Sequence, residues 1–188
     1  MDALLAAFVA AGLAEWGDKT QLLVAALAIR YARPAPILAG VALAALIHAL
    51  IAAVGGVLVH DFVTIRALSL LVGLSLLFAG IAGLVTRRTP RILVSERFGP
   101  FLAAFVCLFI AEFGDKTQFL TFSIAARFES LLLAAAGATA GVLAASIPAA
   151  VLGDGLARLV PLRAIRMTAA ILFLLLAFIV AVNAWRLV

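Results

Sequence analysis

Charge is scarce in this 188-residue chain. Asp, Glu, Lys and Arg make up 12% of it, where an ordinary soluble domain has about a quarter. That shortage, with 67% apolar residues in long runs and a mean hydropathy of +1.29, excludes a soluble globular enzyme, a disordered tail and a nucleic-acid-binding domain. Short alternating apolar segments are missing too, which excludes an outer-membrane barrel and leaves an all-α integral membrane protein. Cysteine occurs once, at Cys107 inside an apolar run. An internal disulfide framework and a cysteine-based metal cluster are therefore excluded. The opening Met1-Asp2-Ala3-Leu4-Leu5 has no basic stretch ahead of the apolar run, so that run is expected to be a retained helix rather than a cleaved signal peptide.

What the chain does have is six apolar runs, at 3–29, 35–59, 66–86, 100–127, 130–152 and 164–186. Each has about the 20 residues that a spanning helix needs. Arg30, Arg33, Pro34 and Pro36 close the first run, and His60 and Asp61 the second. Arg87, Arg88, Pro90, Arg91, Glu96 and Arg97 form the clearly polar connector. The chain therefore reads as a unit of three helices at 1–86, a short basic connector at 87–99 and a second unit of three helices at 100–188.

The two units are copies. Ala14-Glu15-Trp16-Gly17-Asp18-Lys19-Thr20-Gln21 recurs 97 residues later as Ala111-Glu112-Phe113-Gly114-Asp115-Lys116-Thr117-Gln118. The same offset pairs Arg30 with Arg127, Gly40 with Gly137, Gly56 with Gly153 and Arg66 with Arg163. Three crossings per copy start the second copy on the opposite side of the membrane. The expected fold is thus six transmembrane helices as two inverted three-helix repeats, a recurring plan of secondary transporters with the site near the midplane. Net charge is +5, and most arginines stand at run ends. Arg30, Arg33, Arg87, Arg88, Arg91, Arg97, Arg158, Arg163 and Arg166 fall on one side, and Arg66, Arg127 and Arg186 on the other. The arginine-rich side is expected to be cytoplasmic, which puts both termini outside.

Glu15, Asp18 and Lys19 lie in mid-run, as do Glu112, Asp115 and Lys116. A charge at the bilayer centre costs at least about 2.5–3.5 kcal/mol, so two such triplets need a function. On an uninterrupted helix each triplet would share one face. Thr20 would point elsewhere unless the helix breaks, and Gly17 and Gly114 make a break available. The four carboxylates less the two lysines leave −2, which one divalent cation or two protons would neutralise. Carboxylate oxygens, with Thr20, Gln21, Thr117 and Gln118 as supporting donors, suit hard ions such as calcium, manganese or magnesium. With no Cys or His in either motif, copper and zinc are disfavoured. Crowded carboxylates also share protons, so a pocket holding either a metal ion or protons has the makings of an exchanger. The plainer reading is a ligand-free clamp between each glutamate and its neighbouring lysine, which the doubling and the excess of acid argue against. Lys19 and Lys116 are charge-balancing candidates that either hold the acids when the pocket is empty or reach toward an interface. His48, mid-run with Ala145 as its counterpart, is a candidate proton relay or a hydrogen-bonded interior histidine.

The doubled Glu-x-Gly-Asp-Lys-Thr resembles the signature of the GDT family of cation transporters, and the resemblance covers nearly the whole chain. It implies cation/proton exchange, with Glu15, Asp18, Glu112 and Asp115 as metal ligands, Thr20 and Thr117 at the motif's hydroxyl position and Lys19 and Lys116 at its basic position. The short connector and the missing N-terminal targeting segment resemble bacterial members, which implies the bacterial inner (plasma) membrane. The expected activity is Mn²⁺ efflux in exchange for protons, with no cofactor, the metal being the cargo, and no nucleic-acid partner. A monomer would suffice, since one chain carries both motifs, although a homodimer remains open. The alternatives are a Ca²⁺/H⁺ exchanger, an exporter of a small organic solute, or a non-transporting membrane scaffold. An enzyme is not expected, for the chain has no paired Ser–His motif and no His-Glu-x-x-His.

Overall fold

A computed structural model describes residues 1–85, 92, 94 and 97–185. The connector residues Arg87, Arg88, Pro90, Arg91 and Glu96, and also Arg186, lie outside the described residues. All regular structure among the described residues is helical. It comprises α1 (Asp2–Glu15), α2 (Lys19–Tyr31), α3 (Pro34–His60), α4 (Ile65–Leu84), α5 (Pro100–Glu112), α6 (Lys116–Phe128), α7 (Leu131–Leu152), a 3₁₀ turn (Gly153–Gly155), α8 (Leu156–Leu159) and α9 (Leu162–Trp185). Four stretches are long and apolar enough to cross a membrane: Pro34–His60, Ile65–Leu84, Leu131–Leu159 and Leu162–Trp185. They follow the second, third, fifth and sixth expected runs closely.

The first and fourth runs depart from expectation. Each is two helices, not one, with the break inside the motif. Trp16 and Phe113 turn the chain out of the helix with ψ of 123° and 121°. Gly17 and Gly114 then take φ +71°, a left-handed conformation that L side chains occupy at a cost of roughly 1–2 kcal/mol. The glutamine four residues on closes the break: the Gly17 amide donates to Gln21 Oε1 (2.9 Å) and the Gly114 amide to Gln118 Oε1 (2.8 Å). The reading of Glu15, Asp18 and Lys19 as one face of a continuous helix is therefore corrected. The glutamate ends one helix and the lysine begins the next. With about 1.5 Å of rise per residue, half-helices of 14 and 13 residues in the first run, and of 13 and 13 in the fourth, set the breaks near mid-run.

The two copies match in much of their packing as well. α1 lies on α7 as α5 lies on α3, and α4 packs against α9. Gly137 faces the Leu4 carbonyl and Gly40 faces the Phe101 carbonyl, contacts related by the same 97-residue offset. Added Cβ atoms would collide with backbone there, so these glycines let the helices touch. Even the helix ends repeat, with Ala32 and Glu129 as left-handed caps at φ 50° and 49°. The core is lined by alanines such as Ala7, Ala11, Ala104, Ala138 and Ala149, the close small-residue packing that membrane helices use. Leu5, Ile51, Leu58, Leu74, Ile171 and Phe178 are exposed on the outside, as lipid-facing side chains are.

Candidate metal centre

The breaks bring four helix ends together. α1 and α5 arrive with their C-termini and place Glu15 and Glu112 there. α2 and α6 leave with their N-termini, capped by Asp18 and Asp115 in extended backbone. Helix C-termini carry partial negative charge and free carbonyls, which favour a cation, while the N-termini stabilise the aspartates.

The closest charged and hydroxyl links of the centre run between the copies, although Lys116 Nζ also stands 3.4 Å from Asp115 Oδ2 of its own motif. Thr20 Oγ1 donates to Glu112 Oε1 (2.5 Å), and Thr117 Oγ1 donates to Glu15 Oε1. Lys19 Nζ donates to Asp115 Oδ1 (2.9 Å) and to the Ala111 carbonyl (2.6 Å), and Lys116 Nζ donates to Asp18 Oδ2. Each lysine thus pairs with the aspartate of the other copy, and the clamp between glutamate and lysine of one motif is not what the chain builds. Thr20 points into the centre because the helix is broken.

Oxygen atoms of Glu15, Glu112 and Asp115 lie within 4.8 Å of one another. Glu15 Oε2 is buried without a hydrogen-bond donor among the described residues, an arrangement that a bound cation or a proton would satisfy. Asp18 is not part of this trio and is held instead at Lys116. Gln21 spans from Gly17 to the Ala145 carbonyl (2.7 Å) and so pins the break, while Gln118 both pins its break and lines a cavity beside Glu112. His48 also lines that cavity. Two participants escaped sequence reasoning. The Ala111 carbonyl was illegible because the helix break frees it. Thr121, which lines the same cavity, was signalled by its spacing of four residues from Thr117 on α6.

The centre is not equally buried on its two flanks. Glu15 and Asp18 are 1% exposed, whereas the side chains of Glu112 and Asp115 are 13% and 15% exposed. α9 seals the first flank: a Cβ on Gly17 would stand 2.5 Å from the Leu162 carbonyl and 3.1 Å from Arg166 Cβ. The matching residues of α4 are Ile65 and Ser69, yet among the described residues nothing lies within 4 Å of the same position at Gly114. Instead a cleft bounded by Ile51, Ala52, Phe119 and Phe122 reaches Asp115 and Gly114. Gly17→Ala should accordingly destabilise the protein well beyond the left-handed cost of about 1–2 kcal/mol, and Gly114→Ala by no more than that cost. Thermal unfolding in detergent checks this, and equal losses would contradict the asymmetry.

An all-helical, multi-pass membrane protein with a charged, two-copy centre buried in its core belongs to the class of membrane transporters. The chain matches the family model described as "Divalent cation/proton antiporter GDT1" over residues 3–91 and 100–187, and it belongs to that family. The resemblance carried by the doubled motif is thereby borne out, and the chain is a transporter, not an enzyme. It is 39% identical over 183 residues, 96% of this chain and 91% of the relative, to the "Putative manganese exporter" of Vibrio cholerae serotype O1. No solved structure matches the chain.

Proposed function

We propose that the chain exports Mn²⁺ in exchange for protons across a bacterial inner membrane, through the centre where its two motifs meet. The observation that carries this reading is the convergence of Glu15, Glu112 and Asp115, contributed by both copies, within 4.8 Å. Four carboxylates against two lysines leave a charge of −2, matched by one divalent ion or two protons. The match over nearly its whole length to the relative named "Putative manganese exporter" favours manganese as the cargo. The metal is substrate, so no cofactor is required, and one chain supplies both halves of the centre.

In this reading Glu15, Glu112, Asp115 and Asp18 are the metal ligands, and Thr20 and Thr117 orient the glutamates. Lys19 and Lys116 hold the aspartates while no cation is bound. An arriving cation displaces protons from the glutamates and the ammonium groups from the aspartates. The copies are inverted repeats, 1–86 and 100–188, joined by the connector 87–99. The arginine-rich side, including Arg30, Arg33, Arg158, Arg163 and Arg166, is cytoplasmic, and both termini are outside. The α9 seal over Gly17 then faces the cytoplasm and the cleft at Asp115 faces out. That describes an outward-facing state, in which external protons can displace the metal.

Inverted repeats exchange conformations. In the inward-facing state Ile65 and Ser69 of α4 close over Gly114 while α9 leaves Gly17. Gly114→Ala is thus expected to keep its fold yet lose most of its transport, because the added methyl obstructs closure of α4. Transport at the wild-type rate would contradict the exchange of seals. The cargo is tested by growth: cells lacking their own exporter should gain manganese tolerance from this protein and lose the gain with Glu15→Gln or Asp115→Asn. Tolerance retained by both variants would refute the site.

A further inference from the structure

Among the polar positions at which the copies differ, one carries an imidazole beside the centre. His48 of α3 corresponds to Ala145 of α7. It is 5% exposed and lines a cavity of about 30 Å³ together with Glu112, Thr117, Gln118 and Thr121. That is room for one water or one ion. The ring is fixed in place. It stacks on Phe109 at a centroid separation of 4.6 Å and meets the edge of Phe113 at 6.0 Å. Its Nε2 stands 3.0 Å from the Phe109 carbonyl oxygen. A carbonyl only accepts, so Nε2 carries the hydrogen and Nδ1 of the neutral ring presents a lone pair. That Nδ1 is buried and has no hydrogen-bond partner among the described residues. A rigid imidazole with one nitrogen occupied by a carbonyl and the other left as a bare donor is how proteins prepare histidine to ligate a metal.

We propose that His48 Nδ1 is a nitrogen ligand for the transported ion, and that the cavity it shares with Glu112 is where the protein distinguishes a first-row transition ion from calcium. Calcium takes oxygen ligands and prefers many of them. Mn²⁺ accepts the same carboxylates and, as a transition ion, also an imidazole nitrogen. The carboxylates alone discriminate poorly between the two ions, and His48 supplies the difference. It enters from outside both motifs, because α3 crosses beside the break between α5 and α6. The inference rests on the proposed cation exchange and specifies its selectivity.

The test uses the full-length protein in detergent, loaded with Mn²⁺ and examined by pulsed electron paramagnetic resonance. Coupling of the Mn²⁺ electron spin to ¹⁴N is expected in the wild type and absent in His48→Gln. In binding titrations His48→Gln should weaken Mn²⁺ about tenfold to a hundredfold and leave Ca²⁺ within about twofold. A Mn²⁺-loaded wild type without nitrogen coupling overturns the proposal. So does an equal loss for both ions, as a structural role for His48 would give, or no loss for either. A wild type that binds neither ion refutes the cation reading itself, which separates the two failures.

Discussion

Glu15→Gln combined with Glu112→Gln is expected to abolish proton-coupled Mn²⁺ uptake into vesicles, a fall of about a hundredfold or more, while the protein stays folded. Both effects have one cause. The two glutamates are the acids without an ammonium partner as close as those of the aspartates: Lys19 approaches Glu112 only to 3.8 Å, against 2.9 Å to Asp115. Their close partners are the hydroxyls of Thr20 and Thr117. A glutamine keeps an oxygen that accepts from those hydroxyls, and it preserves the shape of the side chain. In the cation-free centre a neutral amide stands where a protonated acid stood, so the unfolding temperature should hold. What disappears is the pair of groups that can be either protonated or metal-bound. Vesicles with an imposed pH gradient and a manganese-sensitive dye inside would read the result. Uptake above that of protein-free vesicles would show that the glutamates do not carry the exchange.

Lys116→Met is expected to cost about 3–5 kcal/mol of stability, the range for breaking a buried ion pair by removing one partner. Lys116 is 2% exposed and its partner Asp18 is 1% exposed, so water does not replace the lost ammonium. Lys19 is different. Its side chain is 22% exposed, and Lys19→Met should cost distinctly less. Asp18→Asn added to Lys116→Met should recover most of the loss, because a neutral amide needs no counter-ion. Denaturation of the four proteins in mild detergent completes the cycle. A double variant as unstable as Lys116→Met alone would mean that the lysine acts through packing rather than through charge. The pair also joins the two copies, so its loss should loosen the contact between them as well as the local site.

Much of this architecture could be read directly from residue order. The 97-residue offset, the four uninterrupted spans and the identity of the charged residues follow from periodicity and from the cost of placing charge in apolar runs. These are properties of single segments. The helix breaks were only half legible. Gly17 and Gly114 permit them, but the φ of +71° is stabilised by the Gln21 and Gln118 side chains and, at Gly17, by close packing of α9. The crossed pairing, Lys19 to Asp115 and Lys116 to Asp18, was hidden because the nearest acid along the chain belongs to the same motif.

By itself the sequence determined that the chain is a helical membrane protein, built twice over, with a doubled acidic motif in its apolar core. Only the tertiary structure decided which acids meet, which lysine holds which aspartate, that His48 lines a cavity beside the second motif, and that one flank is sealed while the other lies open. The reason is physical. Burial and helix formation are decided within one segment, whereas a site made at the ends of four half-helices depends on how close the glycine and alanine faces allow distant segments to come.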